Sequence, residues 1–242
     1  MNNIIYDKLL KHKSKTALIM CTYIRLENLP KTFDCLIRQT NKDFDFYICN
    51  NSNKEDELLS IINKYEEAKD FNLSVYNYFN EFKQFARFLV AQDLAKEGYE
   101  KIIFIDDDEI IPDSFIQECH NQYDEDSIKS FWSHKIEKVY NRKIKLEKEE
   151  IGNYAGTGGL ICSSKIFLDD LFFSCPQKFW IIDDLWLSYY ILKYTNYNIK
   201  ALHTKIEFIV DKKATCLTLK DDKQKFTDEF ISPNSKHIPP LM

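Results

Sequence analysis

Tyr99-Glu100-Lys101-Ile102-Ile103-Phe104-Ile105-Asp106-Asp107-Asp108-Glu109-Ile110-Ile111-Pro112-Asp113 is the stretch that decides the fold. Residues 102–105 are continuously apolar, β-branched or aromatic, and polar residues bound them, the pattern of a short strand in a sheet covered on both faces. The strand ends in carboxylates. Asp106, Asp107, Asp108 and Glu109 repel one another and lose hydration when crowded, so a chain that sets them at the mouth of a core strand has reason to neutralise them with a cation. Ligands of open α/β sheets bind outside the carboxyl ends of strands, which is where this run falls. A solvated acidic turn stopped by Pro112 and Asp113 is the plainer alternative, and the apolar strand in front weighs against it.

Around this stretch, 242 residues with 44% hydrophobic and 14% aromatic content suffice for one large core. The net charge is −5 and the isoelectric point about 5.6. With no basic stripe, the composition argues against nucleic acid as a partner. The basic residues of 135–148 alternate with Glu137, Glu147, Glu149 and Glu150, as on a solvated surface. Seven cysteines, an odd number without a paired C-x-x-C, read as reduced thiols of a cytoplasmic protein, neither a disulfide framework nor a zinc site. Neither a signal peptide nor a transmembrane segment is expected, and peripheral membrane contact stays open.

Taken in order, residues 16–21 read as a strand, and Leu29, Phe33, Leu36 and Ile37 follow at helical spacing. Residues 44–49 give a second strand, ending in Asn50-Asn51-Ser52-Asn53, which can turn the chain and cap a helix over 55–65. A third strand over 73–78 and a helix over 81–96 come next, with Gly98 placed for a left-handed cap. Strands alternating with helices imply a mostly parallel sheet of right-handed crossovers. After Pro112 the pieces shorten: a helix over 114–121, a strand over 128–133, a hairpin around Asn141-Arg142 and a strand over 160–162. Residues 152–159 hold four of the five glycines, which marks either a close approach of backbone to something else or a tight turn. Asp183 or Asp184 can cap a helix that runs to about 194, with Trp186, Leu187, Tyr190 and Ile191 on one face. A strand over 199–203 follows.

Five stretches carry a resemblance: Thr22-Tyr23-Ile24-Arg25 after the first strand, Arg38-Gln39-Thr40 before the second, Ile105-Asp106-Asp107-Asp108 with Ile110-Ile111-Pro112, Gly156-Thr157-Gly158-Gly159, and Asp183-Asp184-Leu185-Trp186-Leu187-Ser188. In this order they resemble the GT-A-fold glycosyltransferases of the inverting family 2 over roughly residues 17–203. The resemblance implies an α/β fold, a three-layer α/β/α sandwich with a mostly parallel, Rossmann-like central sheet. It also implies one domain over 1–219, with a nucleotide-sugar-binding half (15–110) and an acceptor half (111–219), followed by a tail or arm over 220–242.

The activity implied is transfer of a sugar from a nucleotide-diphosphate sugar, UDP-sugar favoured, to a hydroxyl of a glycan or other acceptor, with Mn²⁺ or Mg²⁺ as cofactor. Carried onto this sequence, Asp108 is the principal metal ligand, Asp106 serves ribose, donor sugar or metal, Asp107 acts through metal or water, and His203 completes the shell. Thr22, Tyr23 and Arg25 line the nucleotide, Asn50 and Asn51 stand where the family has a base-reading aspartate, and Arg87 lies near the diphosphate. Asp184 is the base and Asp183 binds acceptor or caps the helix. Gly156, Thr157, Gly158 and Gly159 let the sugars approach the backbone, while Trp180 and Trp186 offer stacking faces unless they belong to the core. Two rivals are a sugar nucleotidyltransferase, which usually carries a glycine-rich basic loop after the first strand, and a non-catalytic carbohydrate-binding scaffold with a degenerate transferase fold.

Overall fold

The computed structural model describes residues 3–66, 68, 70–136, 143–147, 149–209 and 219–231. Its first half opens with β1 (Asn3–Lys8), an edge strand antiparallel to β4, and then alternates β2 (Thr16–Thr22), α1 (Leu29–Ile37), β3 (Asp45–Asn50), α2 (Glu55–Lys64), β4 (Asn72–Asn77), α3 (Ala86–Lys96) and β5 (Lys101–Asp106). The second half is built of shorter pieces: β6 (Glu109–Ile110), α4 (Phe115–Gln122), β7 (Ser127–Ser130), β8 (Ser133–Ile136), β9 (Lys143–Lys145), β10 (Tyr154–Ala155) and β11 (Leu160–Ser163). Then come α5 (Asp183–Tyr194), β12 (Asn198–Ala201), β13 (Glu207–Phe208) and α6 (Lys220–Phe226).

Eight strands form the main sheet in the order β1-β4-β3-β2-β5-β11-β7-β12. Strands β4, β3, β2 and β5 are mutually parallel, β11 runs against both β5 and β7, and β12 is parallel to β7. Register aligns Thr22 with Asn50 and Cys21 with Asp106, so the carboxyl ends of the central strands finish at one level. A second sheet, β10-β8-β9, and a β13–β6 pair stand beside that end.

Alternation along β5 divides the interior. Ile103 and Ile105 pack toward α1, α2 and α4, with Phe33, Leu58 and Phe115, while Ile102 and Phe104 pack toward α3 and α5, with Phe88, Phe167 and Leu187. At the opposite end of the sheet a buried polar chain joins the strands. Asp45 accepts from Ser14 N–H (2.9 Å), Tyr99 hydroxyl (2.6 Å) and Asn72 Nδ2 (2.7 Å), and the Tyr47 and Tyr99 hydroxyls lie 2.5 Å apart. Each member has a partner, which is the condition for such a network to stabilise rather than cost.

Several local expectations change. The helix expected from 81 begins at Ala86, because Phe79, Asn80 and Lys83 adopt left-handed backbone (φ 47°, 61° and 51°) that no α-helix accommodates. The Asn50–Asn53 cluster does not cap α2: Lys54 holds that position without a side-chain cap, and Asn50 instead accepts from Ser52 N–H and Oγ. Likewise Asp183 and Asp184 lie inside the first turn of α5, with Ile182 at the cap, and α5 is buried on all sides from Asp183 to Ile191 rather than along one face. The strand expected over 128–133 is broken by the corner Phe131-Trp132 into β7 and β8. The hairpin turn at Asn141-Arg142 and Cys216 lie outside the described residues; the six described cysteines are free and buried. Of residues 220–242, those to 231 are described: α6 and the turn after it pack Phe226 against Phe179 (4.8 Å) and Phe230 against Tyr189 (4.9 Å). Among the described residues no helix is long and apolar enough to cross a membrane.

Candidate active site

The carboxyl ends of β2, β3 and β5 open on a cleft with about 900 Å³ of empty space, its mouth open to solvent. Residues 21–25 after β2, Asn51 after β3, Gln84 and Arg87 at the start of α3 and Asp106, Asp107 and Asp108 after β5 form one wall. Thr157, Ile181, Asp183, Asp184, Leu219 and Lys223 form the other. The cleft therefore joins seven separate segments of the chain.

Two arginines organise the acids. Arg25 places one guanidinium nitrogen 2.5 Å from Asp107 and the other 2.5 Å from Asp108. Burial pushes Asp107 up to about 7 although Arg25 pulls it down, and burial with the neighbouring Asp106 charge raises Asp108 as well. Arg87, only 3% exposed, bridges the two walls: Nη1 lies 2.9 Å from Asp106 and Nε 3.2 Å from Asp183. It is thus a buried clamp between carboxylates, where the alternative to diphosphate contact was an exposed helix arginine.

The acidic pair of α5 is split by its surroundings. Asp183 accepts from Asp184 N–H through Oδ1, and burial raises it to about 7 against the pull of Arg87. Asp184 faces the other way. Burial would raise it too, but Lys223 Nζ at 2.7 Å, the Tyr154 hydroxyl at 2.6 Å and the charge of Lys143 hold its carboxyl below the ordinary range. Two carboxylates adjacent in sequence therefore hold their protons differently, Asp183 against Arg87 and Asp184 against Lys223.

Glu109, read from the sequence only as the last acid of the run, and Lys223, not singled out there, complete the site. Glu109, buried, accepts from Asp106 N–H at 3.0 Å, and its Oε1 has no hydrogen-bond partner. Burial and the Asp106 charge push its carboxyl well above the usual range. A Cβ on Gly158 would collide with this Oε1 and come within 2.9 Å of Asp106 Oδ2, which is the close approach that the glycine cluster implied. That Glu109 continues the acidic run was the signal available for it; Lys223 sits among like-looking charges over 220–225 and carried none.

Of the expected site residues, Thr22, Tyr23, Arg25, Asn51, Arg87, Asp106, Asp107, Asp108, Thr157, Asp183 and Asp184 line the cleft. Asn50 is buried beneath it, its amide bonded to Ser52 and Asn77. Asn51 does reach the cleft: Nδ2 donates to Lys83 C=O at 2.8 Å, and its buried Oδ1 has no hydrogen-bond partner. Gly156 and Gly159 pack against Trp132 and Phe131 on the far side of the loop. Trp180 stacks on Phe85 at 5.8 Å, and Trp186, buried, donates to Phe172 C=O, so both belong to the aromatic core. His203 is exposed beyond β12, where its backbone bonds Gln122, and does not line the cleft.

Comparison with known proteins agrees with this architecture. The family model described as glycosyl transferase family 2 matches residues 17–167. The fold is similar to Staphylococcus aureus TarS in complex with UDP (18% identity, TM-score 0.51, 78% of this chain and 58% of that one). It is also similar to TarS with UDP-GlcNAc (16%, 0.53, 82% and 59%). The mannosyltransferase PcManGT from Pyrobaculum calidifontis, in complex with GDP-Man and Mn²⁺, matches over 95% of this chain and 67% of its own (10%, 0.62). The chain thus spans less than two thirds of the TarS chains it matches. No curated protein sequence matches significantly. With more than half of its length matched by the family model and its sheet shared with these structures, the chain belongs to glycosyl transferase family 2 and has the GT-A fold of a glycosyltransferase.

Proposed function

We propose that this chain transfers a sugar from a nucleotide-diphosphate sugar, in the first instance a UDP-sugar, to a hydroxyl of a glycan or other acceptor, with inversion at the anomeric carbon. One observation carries the reading: the acids that end β5 and the acidic pair that opens α5, far apart in sequence, face each other across one cleft with Arg87 between them. The unpartnered Asn51 oxygen suits the imide N–H of uracil.

A divalent cation fits the donor set. Asp106 and Asp108 offer partly exposed carboxylate oxygens, and the Arg25 guanidinium lies against Asp107 and Asp108. Among the described residues no three metal-ligating side chains are grouped to hold an ion. The protein would then supply Asp108 and Asp106 while the diphosphate supplies further oxygens, as Mg²⁺ and Mn²⁺ commonly bind. A cation held there would supply charge to offset the negative charge gathering on the leaving diphosphate.

The remaining work falls to the chain itself. Arg87 fixes Asp183 and Asp106 at a set separation beneath the donor. Asp184, ionised at neutral pH and oriented by Tyr154, takes the proton of the acceptor hydroxyl as its oxygen bonds to the anomeric carbon. The bond from that carbon to the diphosphate breaks on the opposite face, and the nucleoside diphosphate leaves with the electron pair. Such base assistance is worth about 10²–10⁴ in rate.

Thermal unfolding against UDP-, GDP-, dTDP- and CMP-sugars, with and without Mn²⁺, tests the reading. A sugar nucleotide at about 100 times its Kd adds about 2.7 kcal/mol. The expected result is a Mn²⁺-dependent rise in Tm with UDP-sugars, abolished by Asp108→Asn. If no sugar nucleotide raises Tm, the reading fails and a non-catalytic scaffold replaces it.

A further inference from the structure

Arg25 ties up acids that a cation would need. It lies in the loop after β2, where its C=O accepts from Asn28 N–H at 2.9 Å and the next residue, Leu26, is 1% exposed. Its backbone is therefore anchored in the core. From there the side chain reaches past the end of β2 to the acids that end its neighbour, β5.

The grip is divided between two unlike carboxylates. One guanidinium nitrogen meets Asp107, whose side chain is 6% exposed, and the other meets Asp108, whose side chain is 26% exposed. Asp107 is walled in and fixes its end of the pair. Asp108 stands more openly at the cleft, with its backbone C=O accepting from Ile209 N–H at 2.8 Å. Asp106 is paired in the same way with Arg87, at 2.9 Å, so each aspartate of the run has a positive partner in place.

A cation meets this guanidinium wherever it binds Asp108. Mg²⁺ and Mn²⁺ sit about 2.1 Å from a carboxylate oxygen, so on either oxygen the ion would stand within about 6 Å of Arg25, like charge against like charge. Among the described residues no group of three metal-ligating side chains stands by to offset that repulsion.

A diphosphate changes the balance. Its oxygens accept the same forked donors that a carboxylate accepts. Turning about its contact with Asp107, Arg25 can pass its other nitrogen from Asp108 to a phosphate. The freed carboxylate and the phosphate together then offer the oxygens that these ions prefer. Resting on the transferase reading above, we infer that Arg25 is a positioning residue that keeps bare Mn²⁺ or Mg²⁺ off Asp108 and yields that carboxylate only to an ion arriving with a nucleoside diphosphate. Ion and nucleotide then bind as one unit, each raising the affinity for the other by the same factor.

The test titrates the full chain with Mn²⁺ alone, and with Mn²⁺ plus the nucleoside diphosphate that the Tm screen selects, UDP in the first instance. Bound ion is read from loss of the free-ion electron paramagnetic resonance signal, and uptake by the nucleotide itself is subtracted from a protein-free titration. The unmutated chain should hold Mn²⁺ at least ten-fold more weakly without nucleotide than with it. Arg25→Gln should tighten the binding of Mn²⁺ alone at least five-fold and narrow the gap between the two titrations. Arg25→Lys keeps the charge but has a single nitrogen that cannot hold both acids, so a gain there, of at least three-fold, reports the freed carboxylate rather than the lost charge. The lysine variant also decides the matter if the glutamine variant does not fold, as near-UV circular dichroism shows. Asp108→Asn should remove the ion from each of these proteins. Unchanged affinity for Mn²⁺ alone in the lysine variant, or equal affinity with and without nucleotide in the unmutated chain, overturns the inference while nucleotide binding still stands. If no nucleoside diphosphate binds the unmutated chain, the transferase reading falls and this inference with it.

Discussion

Arg87 is the residue on which the two halves of the cleft depend. Its guanidinium is 3% exposed and holds Asp106 and Asp183, so removing it strands acids that burial already penalises. Arg87→Met should cost about 3 kcal/mol or more in urea denaturation, and Arg87→Lys should recover part of it. Lys223 acts on Asp184 in a way that pH exposes. The folded pKa of Asp184 is depressed, so the Asp184–Lys223 pair stabilises at neutral pH and loses that effect as pH falls through the folded pKa. Lys223→Met removes the cation that lowers it, and the acid limb of kcat/KM should therefore move to higher pH; an unmoved limb would separate Lys223 from the base. At this scale the sequence placed Arg87 near the right chemistry but could not supply its partners, because Asp106 reaches it only at the end of β5 and Asp183 only after the chain has also passed through β7 and β11. Lys223 was illegible for a simpler reason: a lysine among Asp221, Asp222 and Lys225 looks like any solvated face.

Elements were read more surely than side chains. Residues 102–105 are apolar on both faces because both faces of β5 are covered, and the strand appears where that run predicts it. What failed were features set by contacts outside the element. The left-handed residues before α3 contain no glycine or proline to announce them, and the Phe131-Trp132 corner interrupts a run that local propensity would continue. Tryptophans 180 and 186 were left open between stacking faces and core, and each has its indole N–H satisfied by a carbonyl of the core. The glycine loop was legible as a close approach, and what it approaches was not. Gly158→Ala would force a methyl onto the Glu109 carboxyl and Asp106, so it should destabilise by about 1–3 kcal/mol and abolish the donor-induced rise in Tm. An alanine variant that keeps both would remove the loop from the donor site.

Over the whole molecule the sheet has two unlike ends. One holds the satisfied chain of Ser14, Asp45, Tyr47, Asn72 and Tyr99, and the other holds acids crowded at the mouth of β5. Amides of β2, β3 and β5, paired on both sides and buried, should exchange with solvent slowest, while β9, β10 and β13, two or three residues long, should exchange fastest. Hydrogen exchange followed by mass spectrometry checks this, and fast exchange in β3 would contradict it. The alternation of strand and helix made the part from β2 to β5 predictable from sequence, since each crossover is local and right-handed, whereas β1, antiparallel to β4 at the sheet edge, was not expected. The mixed order β5-β11-β7-β12 was not, because it pairs strands whose neighbours are chosen by tertiary packing.

The polar chain at the closed end also bears on descent. Its five residues touch no part of the cleft, so selection can hold them for folding while the short strands beside the mouth drift. Two lineages from a common ancestor can then share the same foot and glycosylate unrelated partners, and kinship read from Asp45 and Tyr99 would say nothing about diet.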